Sequence, residues 1–262
     1  MTCFLGPKSY TIPPEIRTRV RGSKTLHAAF SEAVRSVDPA RHSEITSKFT
    51  LPQHESKTLA DEASTGLKQE QQYIRGLYTG GTLAYETLII LSEMIGDVYS
   101  NAPFDSKLRL PSSYQSMKDS IIDLGEEEFT SGRAHSMIDP TLRKIRLVEE
   151  AKDSEVAVVL LDVMLGYGSH QDPAGAMLSA IREARSIVES DGRALPILAH
   201  VCGTEQDPQV LSEQERKLRE AGVRLFKTNA TMAISGALIS KRNSLNRDAL
   251  ASVYGHFVTG FE

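Results

Sequence analysis

The sequence is short of cysteine, lacks tryptophan and has no long apolar run, and each shortage closes off a class of protein. Cys3 and Cys202 are the only cysteines in 262 residues. Two are too few for a disulfide framework or a cysteine-rich zinc site, and they fit a reducing, cytoplasmic compartment. No stretch of about 18 apolar residues occurs, so a transmembrane helix is not expected. The opening Met1-Thr2-Cys3-Phe4-Leu5-Gly6 has neither the charged head nor the long apolar body of a secretory signal. Basic charge is in deficit as well: 30 Lys+Arg against 34 Asp+Glu give a net charge of -4. Bulk charge therefore draws the chain neither to nucleic acid nor to an anionic membrane surface. The histidines and acids lack metal-site spacing, so no metal is expected. What remains is 40% hydrophobic and 24% charged, an ordinary globular composition with room for one large domain or two smaller ones.

Four regions differ in pattern. Residues 1–37 hold a short apolar strand at 2–5 and a helix from Thr25 to about Val37, with Leu26, Ala29, Phe30, Ala33 and Val37 on one face. One strand and one helix cannot bury both faces, so this region reads as the remnant of a preceding domain or as a piece that packs on something else. Residues 38–72 are polar and broken by Pro39 and Pro52, and read as a linker or mobile arm. From Tyr73 to residue 240, strand-like and helix-like runs alternate, which predicts an α/β domain with a mainly parallel sheet. Strands are expected at 74–78, 97–100, 120–124, 156–161, 195–201 and 223–227. Helices are expected at 82–95, 141–151, from Pro173 to Gly192, at 210–220 (ended by Gly222) and at 230–240. Thr82 and Asp172 read as helix caps. Residues 241–262 form a weakly patterned tail, with Tyr254, Phe257, Val258 and Phe261 as packing anchors.

Ligands of open parallel sheets bind outside the carboxyl ends of the strands, so the turns there matter most. The first is Thr79-Gly80-Gly81-Thr82, where glycines admit close backbone approach and a helix start attracts an anion. It lacks the Gly-Lys-Ser/Thr ending of a Walker loop. It reads as an anion site or as a plain capped turn. The second, Leu165 to Pro173, carries Gly168, His170 and Asp172; His170 reads as a phosphate ligand or acid/base, or as a surface histidine. The third, Cys202 to Pro208, carries Gly203 and Thr204, and two helix starts there would converge on one anion. Cys202 itself reads as a small residue at a strand end more readily than as a nucleophile. In the fourth, Asn229 either bonds a ligand or caps a helix. The long loop 124–140 adds Arg133, a planar fork for phosphate or carboxylate, and His135 two residues on.

Four segments carry a resemblance. Arg75-Gly-Leu-Tyr-Thr-Gly-Gly-Thr-Leu, the run from Asp123 to Pro140, the run from Leu161 to Ala174, and Val201-Cys-Gly-Thr-Glu-Gln-Asp-Pro-Gln together resemble the FdrA family. That family sits in the superfamily of succinyl-CoA synthetase-like, NDP-forming acyl-CoA synthetases. The likeness runs in order from about Tyr73 to Ile239. It implies a flavodoxin-like ligase-type domain and a chain without the CoA-binding half that such proteins carry. It also implies partner subunits in a hetero-oligomer. Succinyl-CoA synthetases place a phosphorylated histidine in a Gly-His-Ala-Gly turn; the comparable turn here, Cys202 to Pro208, has none.

FdrA-type proteins are associated with carbamoyl transfer between oxalurate, phosphate and carbamoyl phosphate. On that likeness Thr79, Gly80, Gly81, Thr82, Gly168, Asp172, Gly203, Thr204 and Asn229 would line a phosphate or substrate site. Arg133 would clamp the anion, and His135 or His170 would serve as acid/base. The ligand would be phosphate or an acyl or carbamoyl phosphate. CoA with ADP or ATP belongs to the alternative, an NDP-forming acyl-CoA ligase. A non-catalytic assembly subunit is the third reading.

Overall fold

A computed structural model of the chain describes residues 2–3, 15, 22–245 and 247–259. In chain order the elements are β1 (Thr2–Cys3), β2 (Gly22–Ser23), α1 (Leu26–Val37), α2 (His42–Ser47), α3 (Gln53–Ser64), β3 (Tyr73–Tyr78), α4 (Gly81–Ile95), β4 (Tyr99–Ser100), β5 (Ser120–Asp123), α5 (Glu127–Thr130), α6 (Thr141–Lys152), β6 (Val156–Met164), α7 (Pro173–Ser190), β7 (Ile197–Cys202), α8 (Leu211–Glu220), β8 (Arg224–Phe226), α9 (Asn229–Ser240) and α10 (Arg247–Tyr254). Strands β3 to β8 make one sheet in the order β4-β5-β3-β6-β7-β8, with every pairing parallel. This is the α/β parallel sheet the alternation predicts.

The sheet is covered on both faces. One face packs Ile74, Tyr78, Val158 and Leu160 against α3, α4, α9 and α10. The other packs Leu77, Val159, Leu161 and Val163 against α6, α7 and α8. Burial from both sides is why β6 reads as a continuous apolar run. β6 continues to Met164, past the expected Leu161, because Asp162, Val163 and Met164 still find partners in His200, Val201 and Cys202 of β7.

Local signals set several helix ends. Thr25 caps α1 by accepting from Ala28 N at 3.0 Å. Asp172 caps α7 by accepting from Gly175 N at 3.1 Å, with Pro173 in the first turn. Gly222 takes a φ of +75° after α8, a conformation a β-carbon would disfavour. Two expected caps fail. α4 begins one residue early, with Gly80 at the cap position and no capping side chain, so Thr82 lies inside the helix. α9 begins at Asn229 and is capped by Thr228.

The region expected to be a linker contains two helices. α3 buries Ser56, Ala60 and Ala63 and packs on α9. Gln71 then donates to the carbonyls of Val156 at 2.7 Å and Ala194 at 2.8 Å, pinning the chain to the sheet. The stripe is made of small residues, so its hydrophobicity is low even though its spacing is helical. The N-terminal helix also docks here. The buried Glu86 carboxylate of α4 accepts from Leu26 N at 2.7 Å and from Asn229 Nδ2 at 2.8 Å. Burial pushes the Glu86 carboxyl up, against the pull of those bonds. Thr25 Oγ1 donates to the carbonyl of Phe257 at 2.6 Å. Tyr254, Phe257 and Val258 are buried, as anchors should be; Phe261 and the strand positions Phe4 and Leu5 lie outside the described residues. No helix among the described residues is long and apolar enough to cross a membrane.

Glu86→Ala would leave buried donors on α1 and Asn229 without an acceptor. The expected cost is about 1–3 kcal/mol, read as a lower urea midpoint with faster amide exchange at residues 26–28. An unchanged midpoint and unchanged exchange would show that Glu86 does not hold α1.

Candidate functional site

The strand order reverses between β3 and β6, since the chain leaves β3 for β4 and β5 on one side and crosses to β6 on the other. The crevice at such a switch point is where doubly wound sheets bind ligands. Here its floor is filled by a buried polar cluster. Asp162 of β6 accepts from Thr79 N at 2.9 Å and from Thr79 Oγ1 at 2.6 Å. Arg143 of α6 donates from Nη2 to Asp162 Oδ1 at 2.9 Å and also to the Asp162 carbonyl. Its Nε donates to the carbonyl of Leu77 at 3.0 Å. Asp162 is 1% exposed and Arg143 3%. Burial pulls the guanidinium down, and the Asp162 carboxylate opposes that shift. A charge pair this dry persists only when its other hydrogen bonds are satisfied, as they are here.

Above this floor the backbone opens. Gly80 and Gly81 begin the uncapped α4, and a β-carbon on Gly80 would meet nothing within 4 Å. Thr82 is exposed in the same first turn. At the end of β5, Asp123 is 4% exposed. Its Oδ1 accepts from Gly125 N at 2.8 Å. A β-carbon on Gly81 would stand 2.9 Å from Asp123 Oδ2. One on Gly125 would stand 2.8 Å from His135 Nε2 and from the Thr79 carbonyl, and 3.0 Å from Asp123 Oδ1. The two glycines thus let Asp123, His135 and the Thr79 turn converge. Burial pushes the Asp123 carboxyl up to about 6, with the charges of Glu126 and Asp162 adding and the Gly125 bond opposing. His135 Nδ1 accepts from Met137 N at 3.2 Å, which places the proton of a neutral ring on Nε2, facing Gly125. Ser136 Oγ donates to the Thr79 carbonyl at 2.9 Å and holds the loop down.

The second loop is tied to the first. His170 N donates to the carbonyl of Met137 at 2.8 Å, and His170 Nδ1 accepts from Asp172 N at 2.9 Å. Gln209 fastens the same loop through Gly166 and the His170 carbonyl. Gly168 is exposed and open. Arg133 is exposed, and its guanidinium has no partner among the described residues.

Several expected ligand contacts are committed elsewhere. The Thr79 hydroxyl and N–H both belong to Asp162, its carbonyl accepts from Ser136, and the residue is buried. The Asp172 carboxylate caps α7 and pairs with Lys217 Nζ at 2.8 Å. Thr204 gives both its N–H (2.6 Å) and its hydroxyl (3.1 Å) to Asp207, and α8 starts only at Leu211. That start is close to the expected residue 210, and it keeps the Asp207-Pro208 pair outside the helix. Gly203 is a packing glycine, since a β-carbon there would fall 2.6 Å from the Leu165 side chain. Asn229 is 2% exposed; its amide donates to Leu83, Glu86 and Thr87 and accepts from Tyr78. Burial, with Asp162 and Asp207 nearby, pushes the Cys202 thiol up, away from a thiolate nucleophile. Among the described residues no His/Cys/Asp/Glu group forms a metal site. Asp123, Asp162 and Arg143 are site residues absent from the sequence-based expectations. The available signal was an acid closing each of two apolar strands, Ile121-Ile122-Asp123 and Leu160-Leu161-Asp162.

A parallel α/β sheet whose strand ends gather open glycine turns defines a doubly wound ligand-binding domain. The chain belongs to the CoA-ligase family, whose model matches residues 77–237. That places it among succinyl-CoA synthetase-like proteins. The chain is similar to the uncharacterized protein YahF of Escherichia coli (strain K12), with 44% identity over 179 residues. The match takes in 68% of this chain and 35% of YahF, so the chain spans about a third of that curated relative.

Two outcomes follow. Arg143→Met would leave the Asp162 carboxylate buried without its counter-ion, at an expected cost of about 3–5 kcal/mol in urea unfolding; a loss below about 1 kcal/mol would contradict the pairing. Asp123 has a native pKa of about 6 against about 4 in an unfolded chain. The native state therefore holds the extra proton between those values, and stability falls as pH rises through the window. Asp123→Asn removes that penalty, so its stability relative to the parent should be higher at pH 8 than at pH 5. The reverse order would contradict the buried carboxyl.

Proposed function

We propose that this CoA-ligase domain handles an acyl or carbamoyl phosphate, as an FdrA-type subunit of an oxamate carbamoyltransferase-type enzyme. The observation that carries the reading is the α4 start at the end of β3, where Gly80 and Gly81 open a helix with no capping side chain and His135 stands across Gly125 from the Thr79 carbonyl. Free N–H groups at a helix start suit a phosphate or a developing oxyanion. In this reading Gly80, Gly81 and Thr82 hold the phosphate, with Gly168 on the adjoining loop. Arg133, free of protein partners among the described residues, closes over the anion. His135 is the acid/base next to the turn, and His170 supports the loop that meets it. The work is cytoplasmic and shared with partner subunits. CoA and ADP or ATP belong to the alternative of an NDP-forming acyl-CoA ligase.

The test is a thermal-shift series with phosphate, carbamoyl phosphate, ADP, ATP and CoA. A ligand at a hundred times its Kd stabilises by about 2.7 kcal/mol. Phosphate species should raise the midpoint and CoA should not. Arg133→Ala should remove the shift without lowering the ligand-free midpoint, because its side chain holds nothing in the fold. No shift with any phosphate species would overturn the reading.

A further inference from the structure

We propose that the turn at the α4 start binds its oxyanion together with one proton, carried on Asp123 Oδ2 and donated to a ligand oxygen. The inference rests on the reading of that turn as an oxyanion site and names how the site neutralises its ligand.

Three observations carry it. Asp123 is 4% exposed, and its backbone is held from both directions by Asn101, whose Oδ1 accepts from Asp123 N at 2.9 Å and whose Nδ2 donates to the Asp123 carbonyl at 2.9 Å. Its Oδ1 is taken by Gly125 N. Its Oδ2 has no partner among the described residues, and it lies 2.9 Å from where Gly81 would carry a β-carbon. The unpartnered oxygen of a buried aspartate side chain therefore lies beside the first turn of a fifteen-residue helix with no capping side chain.

The surroundings decide the charge state. From α4, Tyr85 presents its ring beside Gly81. Glu126 follows on the same loop, and Glu128 of α5 accepts from Asn101 Nδ2 at 3.2 Å. Asp162 of β6 lies behind, already paired with Arg143 of α6. Arg109 donates to the Asn101 carbonyl at 2.5 Å. His135 stands across Gly125. Arg143 and Arg109 are thus committed to protein oxygens, and no cation among the described residues offsets the charge of Asp123, so an anion set against its ionised carboxylate would meet like charge there, whatever Arg133 supplies from the solvent side. A protonated carboxyl instead supplies a donor where the helix start supplies N–H groups. Burial already pushes this carboxyl up to about 6, and a bound anion pushes it further. The balance is one proton taken from solvent per anion bound, with no bond made or broken besides the O–H of Asp123.

Sulfate is the probe, because it stays a dianion from pH 5 to pH 8 and its own titration cannot mimic the effect. Calorimetry of the whole chain in buffers of different ionisation enthalpy should show uptake of close to one proton near pH 7. Affinity should weaken by about tenfold per pH unit above pH 6. Histidine titration has the same sign, so Asp123→Asn decides the matter. Its neutral amide donates in the carboxyl's place, and it should bind sulfate with a flat pH profile and no Asp-linked uptake. Should that variant fail to fold, the His135→Gln and His170→Gln proteins should still take up the proton. Sulfate binding that keeps its wild-type slope in Asp123→Asn, or uptake lost in the histidine variants, overturns the proposal while leaving the anion site standing. No binding of sulfate or phosphate at any pH overturns both.

Discussion

The buried carboxylate of Asp162 is the contact on which the strand ends depend. It joins three elements at one point: β6, which carries it; β3, through both the N–H and the hydroxyl of Thr79; and α6, through Arg143. Arg143 also reaches the Leu77 carbonyl. The crevice where the strand order reverses therefore has a charged, hydrogen-bonded floor. Desolvating such a pair is expensive, and every lone pair must be used for it to hold. With the floor filled, a ligand at this end of the sheet meets the turns above it.

That displacement gives the site its character. The Thr79 side chain faces down into the floor, so the turn offers its surface through Gly80, Gly81 and the first N–H groups of α4. Asp123 enters from β5 and His135 from the following loop, and both approach only because Gly81 and Gly125 lack β-carbons. The loop after β6 is bound to the same region through Met137 and His170. Three strand ends are coupled in this way by hydrogen bonds between loops rather than by their separate contacts with the sheet.

The remaining segments brace the face opposite α6, α7 and α8. α3 lies on α9 by its small residues, and α1 reaches α4 through Glu86. Asn229, which joins Glu86 to Tyr78 and Thr87, links this bracing to β3. The N-terminal helix is thus linked to the strand that carries the glycine turn through three successive hydrogen bonds, Leu26 to Glu86, Glu86 to Asn229 and Asn229 to Tyr78.

Alternation of strands and helices, the buried run at Val156 to Leu161, the Asp172-Pro173 helix start and the Gly222 stop were all determined by the sequence alone. Each depends on residues within one turn or one strand of each other, and local periodicity and capping chemistry record that directly. The helix at 53–64 was illegible because alanine and serine make a weak stripe that counts only against α9. The fate of the polar groups was decided by tertiary structure. Thr79 looked free for a ligand until Asp162, 83 residues away, claimed its hydroxyl. Asn229 looked free until Glu86, 143 residues away, claimed its amide. Asp123 looked like the end of a strand until Gly81 and Gly125 left its Oδ2 facing a helix start. A hydrogen bond is set by distance in space, and which side chains are spent and which are left over is known only once distant segments have met.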